Sequence, residues 1–248
     1  MVLFEIIAAT LAVSLLSLAG IVLFIFGKRK IDDYLFFLVS VATGTLVGAA
    51  FFDLLPEAVG MVDAHAALEL AFLGLIASFC LEKIIHWHHH HAGSEREHHR
   101  PLGTLTLVGD SLHNFLDGIA IAAAFMVDVP LGITTTFAIA IHEIQQEIGD
   151  FGLLLYSGYT RAKALLFNLL SALTAVAGSV LFYFFSPSFE NLEGFALAFT
   201  AGTFIYIAAA DLLPEFHKEK SARKSALQLA LLLAGAAMIW LIARSLHA

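Results

Sequence analysis

Two short stretches carry most of the side chains with which this chain could do chemistry. One runs from His113 to Gly118 and the other from His142 to Glu147, and each lies inside a long apolar segment. An ionisable side chain at the centre of a bilayer costs about 2.5–3.5 kcal/mol on insertion scales, so such residues usually mark an ion pathway, a proton relay or a bound ion. Two such clusters in successive apolar segments therefore predict a functional site within a membrane.

Helical spacing brings the members of each cluster onto common faces, because residues four apart on an α-helix lie above one another. The pairs that share a face are His113 with Asp117, His142 with Gln146, and Glu143 with Glu147. Imidazole, carboxylate and amide groups that converge between two adjacent helices suit Zn²⁺, Fe²⁺, Mn²⁺ or Co²⁺. The clusters contain no thiolate or thioether, which argues against a dedicated Cu⁺ site. Interhelical hydrogen bonds would account for one or two such residues, but poorly for six.

The composition is that of a membrane protein. Of the 248 residues, 59% are hydrophobic and 14% are charged, whereas soluble domains carry about 25% charged residues, and the mean hydropathy is +0.85. The formal net charge of −8 offers no basic face to phosphates, which argues against nucleic-acid binding. We therefore predict an all-α integral membrane protein.

Apolar runs of about 20 residues, each long enough to cross a bilayer as a helix, recur eight times. Their predicted limits are 3–26, 33–56, 67–86, 102–126, 131–157, 163–185, 193–214 and 225–244. The connections are short, so residues 1–248 are expected to form a single transmembrane domain. The first run lacks a basic start and a small-residue cleavage site, which favours a retained helix over a cleaved signal peptide.

Lysine and arginine predict the orientation, because cytoplasmic loops carry an excess of both. They fall in alternate connections, after the first, third, fifth and seventh predicted helices. The other connections carry only acidic charge, and Arg244 is the one basic residue on their side. This pattern predicts an even number of spans with both termini outside the cytoplasm, and we expect the cell membrane to be the location.

One five-residue sequence occurs twice, at Asp53–Glu57 and at Asp211–Glu215. It closes the predicted second and seventh helices, which run in opposite directions, so the copies would end at opposite faces of the membrane. An inverted-topology repeat requires this, and many secondary transporters are built from one. The first three helices would then mirror the last three around a central pair, in a 3+2+3 arrangement. The two aspartates are either entrance and exit ligands or, with the prolines that follow, simply part of the helix ends.

The two polar stretches resemble the signatures of helices four and five in the ZIP (Zrt/Irt-like) family of divalent metal transporters. The residues that carry the resemblance are His113-Asn114-Phe115-Leu116-Asp117-Gly118-Ile119-Ala120 and His142-Glu143-Ile144-Gln145-Gln146-Glu147-Ile148-Gly149-Asp150. A Leu-Pro end to the second helix and a histidine-rich loop after the third extend the resemblance over essentially the whole chain. It implies eight membrane helices and transport of Zn²⁺, or in some members Fe²⁺, Mn²⁺ or Cd²⁺, into the cytoplasm.

The resemblance also implies a binuclear site between helices four and five. The implied ligands of the first metal are His113, Asp117, His142 and Gln146. Those of the second metal are Asn114, Glu143, Gln146 and Asn168 of helix six, and Glu147 belongs to the same predicted metal-binding set. The ions are cargo, so no catalytic cofactor is expected, and a homodimer is implied by the resemblance alone.

Two positions depart from the family, which often has Pro and His where this chain has Gln145 and Gln146. Without the proline, helix five should be straighter and should regain one backbone N–H donor. Gln146 offers a neutral carbonyl oxygen in place of an imidazole, so metal binding there should be weaker and less selective for zinc. Weaker binding does not prevent transport, since an ion that binds too tightly cannot leave.

Residues 87–100 form a predicted cytoplasmic loop that is rich in histidine. Neutral imidazoles bind Zn²⁺ and Cu²⁺ readily. The loop is therefore either a place where incoming metal is captured or a solvated linker without such a role.

An intramembrane zinc-dependent hydrolase is the alternative function. His142 and Glu143 begin a sequence one histidine short of H-E-x-x-H, in which two histidines hold zinc and the glutamate is the base. His113 could supply the missing ligand from the neighbouring helix. An inverted repeat with polar groups at both faces favours a transport path over a catalytic pocket, so we expect a transporter and not an enzyme.

Overall fold

The computed structural model describes residues 2–26, 31–90 and 99–246, and in that part of the chain all regular structure is helical. The helices are α1 (Val2–Phe26), α2 (Ile31–Ala49), α3 (Leu55–Met61), α4 (Ala64–His90), α5 (His99–Val127), α6 (Val129–Tyr156), α7 (Arg161–Ala172), α8 (Thr174–Phe185), α9 (Leu192–Tyr206), α10 (Leu213–His217) and α11 (Ala222–Leu246). The predicted all-α class is confirmed. Residues 91–98, which form most of the predicted histidine-rich loop, lie outside the described residues.

Helical segments of the described chain are long and apolar enough to cross a membrane in five places. They are Phe36–Met61, Ala64–Lys83, Arg161–Ser188, Leu192–His217 and Ala222–Arg244. The chain is therefore a multi-pass integral membrane protein. Helices α5 and α6 fall outside this set, since the polar residues of the two clusters interrupt their apolar surfaces. The total of eight spans stays a prediction.

The first copy of the repeated pentapeptide lies inside a helix and does not end it. Residues Ala50–Leu54 form a π-helical turn in which the N–H of Leu55 donates to the carbonyl of Ala50, five residues back. This wider turn relieves the clash that the ring of Pro56 would otherwise make with the preceding turn. The predicted helix end at residue 56 is therefore wrong, because the chain stays helical to Met61.

The second copy has the same local structure. Residues Ile207–Leu212 form a π-helical turn, and the N–H of Leu213 donates to the carbonyl of Ala208. The chain stays helical through Pro214 to His217, so the predicted end at residue 214 is also wrong. The two π-turns occupy matching positions in the two copies, which supports a structural repeat.

Three pairs of helices approach closely through glycines: α2 with α11, α4 with α9, and α5 with α8. At each of these glycines a Cβ atom would overlap or crowd the partner's backbone: Gly44 and Gly235, Gly74 and Gly202, Gly118 and Gly178. In membranes such small residues let helix backbones pack against each other. These contacts fix the positions of the helices along one another.

The packing partners in the two halves correspond. Helix α2 packs on α11 and α6, while α9, which leads into the second pentapeptide, packs on α4 and α5. Likewise α1 packs on α6, and α8 packs on α5. If the first three predicted spans are exchanged with the last three, and α5 with α6, each of these helix contacts becomes the corresponding contact in the other half. This correspondence supports the predicted 3+2+3 inverted repeat, which stays a prediction.

Candidate metal centre

Helix α5 carries the first polar cluster and is anchored on α8. Gly118 lies where a Cβ atom would overlap the backbone carbonyl of Ala175. One turn before the cluster, the carbonyl of Ser111 accepts a hydrogen bond of 2.7 Å from the hydroxyl of Thr174. These contacts hold α5 at one height along α8, and they therefore set the height of the polar cluster in the bundle.

Helix α6 carries the second cluster and follows α5 after a single residue, Asp128. The side chain of Asp128 caps α6 by accepting a 2.7 Å hydrogen bond from the N–H of Leu131. Near the turn, Gly132 of α6 faces Phe125 of α5, and further from the turn the histidines of the two clusters meet. The two helices are therefore antiparallel. α6 is unbroken through position 145, as expected without a proline there.

Four ligand atoms from the two clusters meet between α5 and α6, all within 4.8 Å of one another. They belong to His113, Asp117, His142 and Glu143. The Nε2 atom of His142 lies 3.3 Å from Nε2 of His113 and 3.1 Å from Oδ2 of Asp117. The Nε2 atom of His113 lies 3.4 Å from Oε1 of Glu143 and 3.7 Å from Oδ2 of Asp117.

These separations are those expected around a single bound ion. Ligand atoms at about 2.0–2.2 Å from a tetrahedral ion stand about 3.3–3.6 Å from one another. The five distances that involve a histidine nitrogen run from 3.1 to 3.7 Å, and the two carboxylate oxygens lie within 4.8 Å of each other. Two imidazole nitrogens and two carboxylate oxygens are a ligand set for Zn²⁺ that Fe²⁺, Mn²⁺ and Co²⁺ also accept. The cluster can therefore hold one divalent ion with little rearrangement.

His142 is oriented by contacts outside the cluster. Its Nδ1 lies 3.2 Å from the carbonyl oxygen of Ala138, and its ring packs edge-on against Phe204 with the ring centroids 5.8 Å apart. Because a backbone carbonyl can only accept, the proton of the neutral ring belongs on Nδ1. The lone pair of Nε2 is then directed into the cluster, where a metal can use it.

A cavity of about 780 Å³ extends from the cluster between α4, α5, α6 and α9. His113, whose side chain is 17% exposed, and Gln146 lie in its wall. Glu82 and Asp211 also line the cavity. The hydroxyl of Tyr206 donates to the Glu82 carboxylate in this wall. The cavity thus leads from the cluster, past these acidic side chains, toward the helix ends that carry Lys83 and the basic segment after α10.

The opposite side of the cluster is filled by small and apolar side chains. The segment 120–124 of α5 is buried against Leu54, Leu131 and Leu197, all with no exposed surface. Within this region the buried carboxylate of Asp53 accepts a hydrogen bond from the hydroxyl of Thr134. A smaller cavity of about 350 Å³, lined by Asp117, Phe182 and Leu192 among others, also reaches the cluster.

The residues predicted for a second metal lie around the first group. Asn114, Glu147 and Asn168 are buried, and the amide nitrogen of Asn168 donates to the backbone carbonyl of Glu147 at 3.1 Å. Among the described residues, neither carboxylate oxygen of Glu147 has a hydrogen-bond partner, nor does Oδ1 of Asn168. Buried oxygens without partners are costly, and a bound cation would compensate them. Glu143 groups with the first set, whereas Gln146 lies in the cavity wall.

Asp110 belongs to this region and was missed by the sequence analysis. It lies in the cavity wall, is 4% exposed, and accepts a hydrogen bond from the side chain of Asn114. The signal was available, because Asp110 is a further acidic residue in an apolar segment, one turn before His113. Asp150 of α6, which the sequence comparison left without a role, also lines the cavity.

Comparison with known proteins assigns the chain to one family. The family model described as "ZIP Zinc transporter" matches residues 3–106 and 88–243. Zinc transporter SLC39A7 of Rattus norvegicus is 40% identical over 151 residues, which cover 58% of this chain and 32% of the relative. Zinc transporter zipt-7.2 of Caenorhabditis elegans is 38% identical over 143 residues, or 56% of this chain and 31% of the relative. Zinc transporter ZIP6 of Homo sapiens is 40% identical over 140 residues, or 54% and 18%.

The matched part of this chain therefore spans about a third or less of the length of these relatives. Each relative is named a zinc transporter, and each contains a long part that the match does not include.

Proposed function

Because the chain belongs to the ZIP zinc transporter family, we propose that it carries divalent metal ions, zinc foremost, across a membrane into the cytoplasm. The observation that carries this proposal is the largely buried group of two histidines and two carboxylates at one end of a cavity that has further acidic side chains in its wall. A cluster of ionisable groups inside a membrane bundle is costly unless it serves a bound ion or its path. Fe²⁺, Mn²⁺ and Cd²⁺ are the other candidate cargoes.

The proposed site is binuclear. One ion would be held by His113, Asp117, His142 and Glu143. The short distances between the ligand atoms of these four residues support this assignment. Gln146, in the adjacent cavity wall, would contribute its side-chain oxygen to the same ion or to a second one. The buried oxygens of Asn168 and Glu147 support a second ion beside the first, to which Asn114 would add its amide oxygen.

Release toward the cytoplasm follows from charge and cavity shape. The cavity leads from the cluster past Glu82 and Asp211 to the helix ends where lysine and arginine concentrate. Those basic residues indicate the cytoplasmic side. Both termini would then lie outside the cytoplasm, and the cell membrane is the proposed location.

We infer that entry involves a second arrangement of the bundle, in which the apolar side chains packed beyond the cluster separate and the smaller cavity beside Asp117 widens. We envisage movement of the central pair against the repeat-related helices, so that the site opens to one side at a time. The incoming ion would exchange part of its water shell for imidazole and carboxylate ligands and would regain water in the cavity.

The hydrolase alternative is not favoured. A hydrolytic glutamate must stand off from the zinc ligands to activate a water molecule. Glu143 instead has no exposed surface and its Oε1 lies 3.4 Å from Nε2 of His113, inside the ligand group. This position suits a metal ligand better than a general base.

Uptake by proteoliposomes that contain the purified protein tests the proposal, with Zn²⁺, Fe²⁺, Mn²⁺ and Cd²⁺ compared. The test variant is the double change His113→Ala, Glu143→Ala. The matched control is His65→Ala, Glu69→Ala, which removes an exposed histidine and an exposed glutamate from α4. We expect saturable zinc uptake that the test variant loses and the control keeps.

Stoichiometric zinc binding without flux of any ion would contradict transport and would redirect attention to hydrolysis. A homodimer is a separate proposal, supported by the family resemblance alone. The mass of the detergent-solubilised protein, measured by light scattering and corrected for bound detergent, decides between one chain and two.

A further inference from the structure

A buried hydrogen-bonded pair lies directly beside the metal cluster. The side-chain nitrogen Nδ2 of Asn114 lies 3.0 Å from Oδ1 of Asp110 and 3.2 Å from its backbone oxygen. Asn114 is 1% exposed and Asp110 is 4% exposed, so water does not compete for these bonds. The two residues are one helical turn apart on α5.

The chemistry of this pair fixes which way the amide of Asn114 points. An amide has two N–H donors on its nitrogen and an oxygen that only accepts, whereas an ionised carboxylate and a backbone carbonyl accept without donating. Turning the amide of Asn114 by half a rotation would break both hydrogen bonds and place its oxygen against two oxygens of Asp110. The amide nitrogen is therefore held at Asp110, and the carbonyl oxygen is left for another partner.

We propose that Asp110 is a positioning residue for metal binding, which holds the amide nitrogen of Asn114 so that the side-chain oxygen of Asn114 is presented to a metal ion. The inference rests on the proposed function, in which Asn114 is a ligand. A divalent cation binds the oxygen of an amide and not its NH₂ group, so orientation decides whether Asn114 can act. Asp110 would fix the orientation of the Asn114 amide by a hydrogen bond, as the carbonyl of Ala138 fixes the orientation of the His142 ring.

The competing role for Asp110 is direct binding of the ion. Asp110 lines the cavity, and among the described residues its Oδ2 atom has no hydrogen-bond partner. The two roles differ in how Asp110 and Asn114 depend on each other. A positioning residue has an effect only while Asn114 is present, whereas a ligand has its own effect.

A double-mutant cycle separates the two roles. Asp110→Asn keeps the shape of the side chain, but its amide can donate as well as accept, so only the backbone oxygen of residue 110 still favours the original orientation of Asn114. We expect this variant to raise the KM for zinc uptake about tenfold, the scale of losses behind a metal ligand, with a smaller change in the maximal rate. In an Asn114→Ala background, the same change should alter KM by less than about twofold. Equal rises in both backgrounds would overturn the proposal.

Exchanging the two residues gives an independent test. The variant Asp110→Asn, Asn114→Asp keeps the charge and the side-chain hydrogen bond of the pair with donor and acceptor reversed, and loses only the hydrogen bond to the backbone oxygen of residue 110. One oxygen of the new carboxylate then still faces the site, so we expect KM to return to within about threefold of the wild type. A KM as high as that of Asn114→Ala would contradict the positioning role, even if Asp110→Asn alone failed to fold.

Zinc binding to the same variants in detergent, measured by calorimetry, provides a readout that does not depend on transport. The dissociation constant should show the same coupling between positions 110 and 114. Absent flux in the wild-type protein would count against the proposed function, while additive binding losses would count against the role of Asp110, so the two failures are distinguishable.

Discussion

If Gln146 is a ligand as proposed, position 146 would set the mixture of nitrogen and oxygen ligands that this site offers. Gln146 lies in the cavity wall next to the cluster, where the family often has histidine. A neutral amide oxygen is a harder and weaker ligand for zinc than an imidazole nitrogen, and oxygen ligands suit Mn²⁺ comparatively well. The ion preference of the site should therefore depend on this one side chain.

Gln146→His should shift the preference toward zinc. We expect the ratio of zinc to manganese uptake at equal concentrations to rise about three- to tenfold, together with a lower maximal rate, because a more tightly held ion leaves more slowly. Competition uptake in proteoliposomes measures both. Gln146→Asn, which keeps an amide, is the control, and an unchanged ratio in the histidine variant would show that position 146 does not contact the ion.

Acidification should reduce uptake through the ligands themselves. Imidazoles and carboxylates bind metal only when deprotonated, so protons compete with the ion for His113, His142 and their acidic neighbours. We expect the KM for zinc to rise as the pH is lowered, because the ligands must release their protons before the ion can bind. Proteoliposomes without a pH gradient isolate this effect, and a KM independent of pH would contradict histidine ligation.

At the scale of the helices, the close packing of α5 against α8 holds the cluster in position. The contact joins Gly118 to the carbonyl of Ala175 and Gly178 to the carbonyl of Phe115. In both cases a side chain would meet backbone, which cannot move aside as a flexible side chain can. The position of His113 and Asp117 on α5 thus depends on glycines that are not ligands.

Gly118→Ala should destabilise the protein by about 1–3 kcal/mol, the usual cost of overpacking, and should weaken zinc binding because the cluster is displaced. Gly152→Ala is the matched control, since nothing lies within 4 Å of a Cβ atom at that position of α6. Replacing a helical glycine by alanine in open space is neutral or stabilising by up to about 1 kcal/mol. Thermal unfolding of the two variants in the same detergent is the comparison, and equal stability would show that the α5–α8 contact can relax.

The whole molecule has a large cavity with acidic side chains in its wall on one side of the cluster, and mainly packed apolar side chains with a smaller cavity on the other. The matching pentapeptides reflect this difference. Asp53 is buried and hydrogen-bonded to Thr134, whereas Asp211 is exposed and lines the cavity. In an inverted repeat, the opposite state of the transporter would exchange these two environments, which gives alternating access a structural basis.

Cysteine labelling from each side of the membrane tests this asymmetry. With Cys80 changed to serine, a cysteine at Ser78 in the cavity wall should react with an impermeant thiol reagent applied from the side of the basic loops. A cysteine at the fully buried Ala138 should react at least about tenfold more slowly from either side. Reaction of Ser78→Cys only from the acidic side would reverse the proposed orientation.

The sequence determined the parts that depend on composition and on the period of a single helix. Apolar runs predicted the all-α membrane class, and four-residue spacing placed His113 with Asp117 on one face of α5. The residue types predicted a site for a divalent metal. The two clusters lie on adjacent antiparallel helices, as their order along the chain indicates.

Only the tertiary structure decided how these faces meet. Helical periodicity fixes where a side chain points around its own helix, but not the rotation and height of one helix against another, which here depend on glycine contacts between residues far apart in sequence. The structure therefore brings Glu143 beside His113, Asp117 and His142, and it lines the adjoining cavity with Gln146. The π-turns kept the chain helical past both prolines, because a wider turn accommodates the proline ring. Packing between segments also decided the pairing of Asp110 with Asn114. It likewise decided the side on which the larger cavity opens, which no single segment encodes.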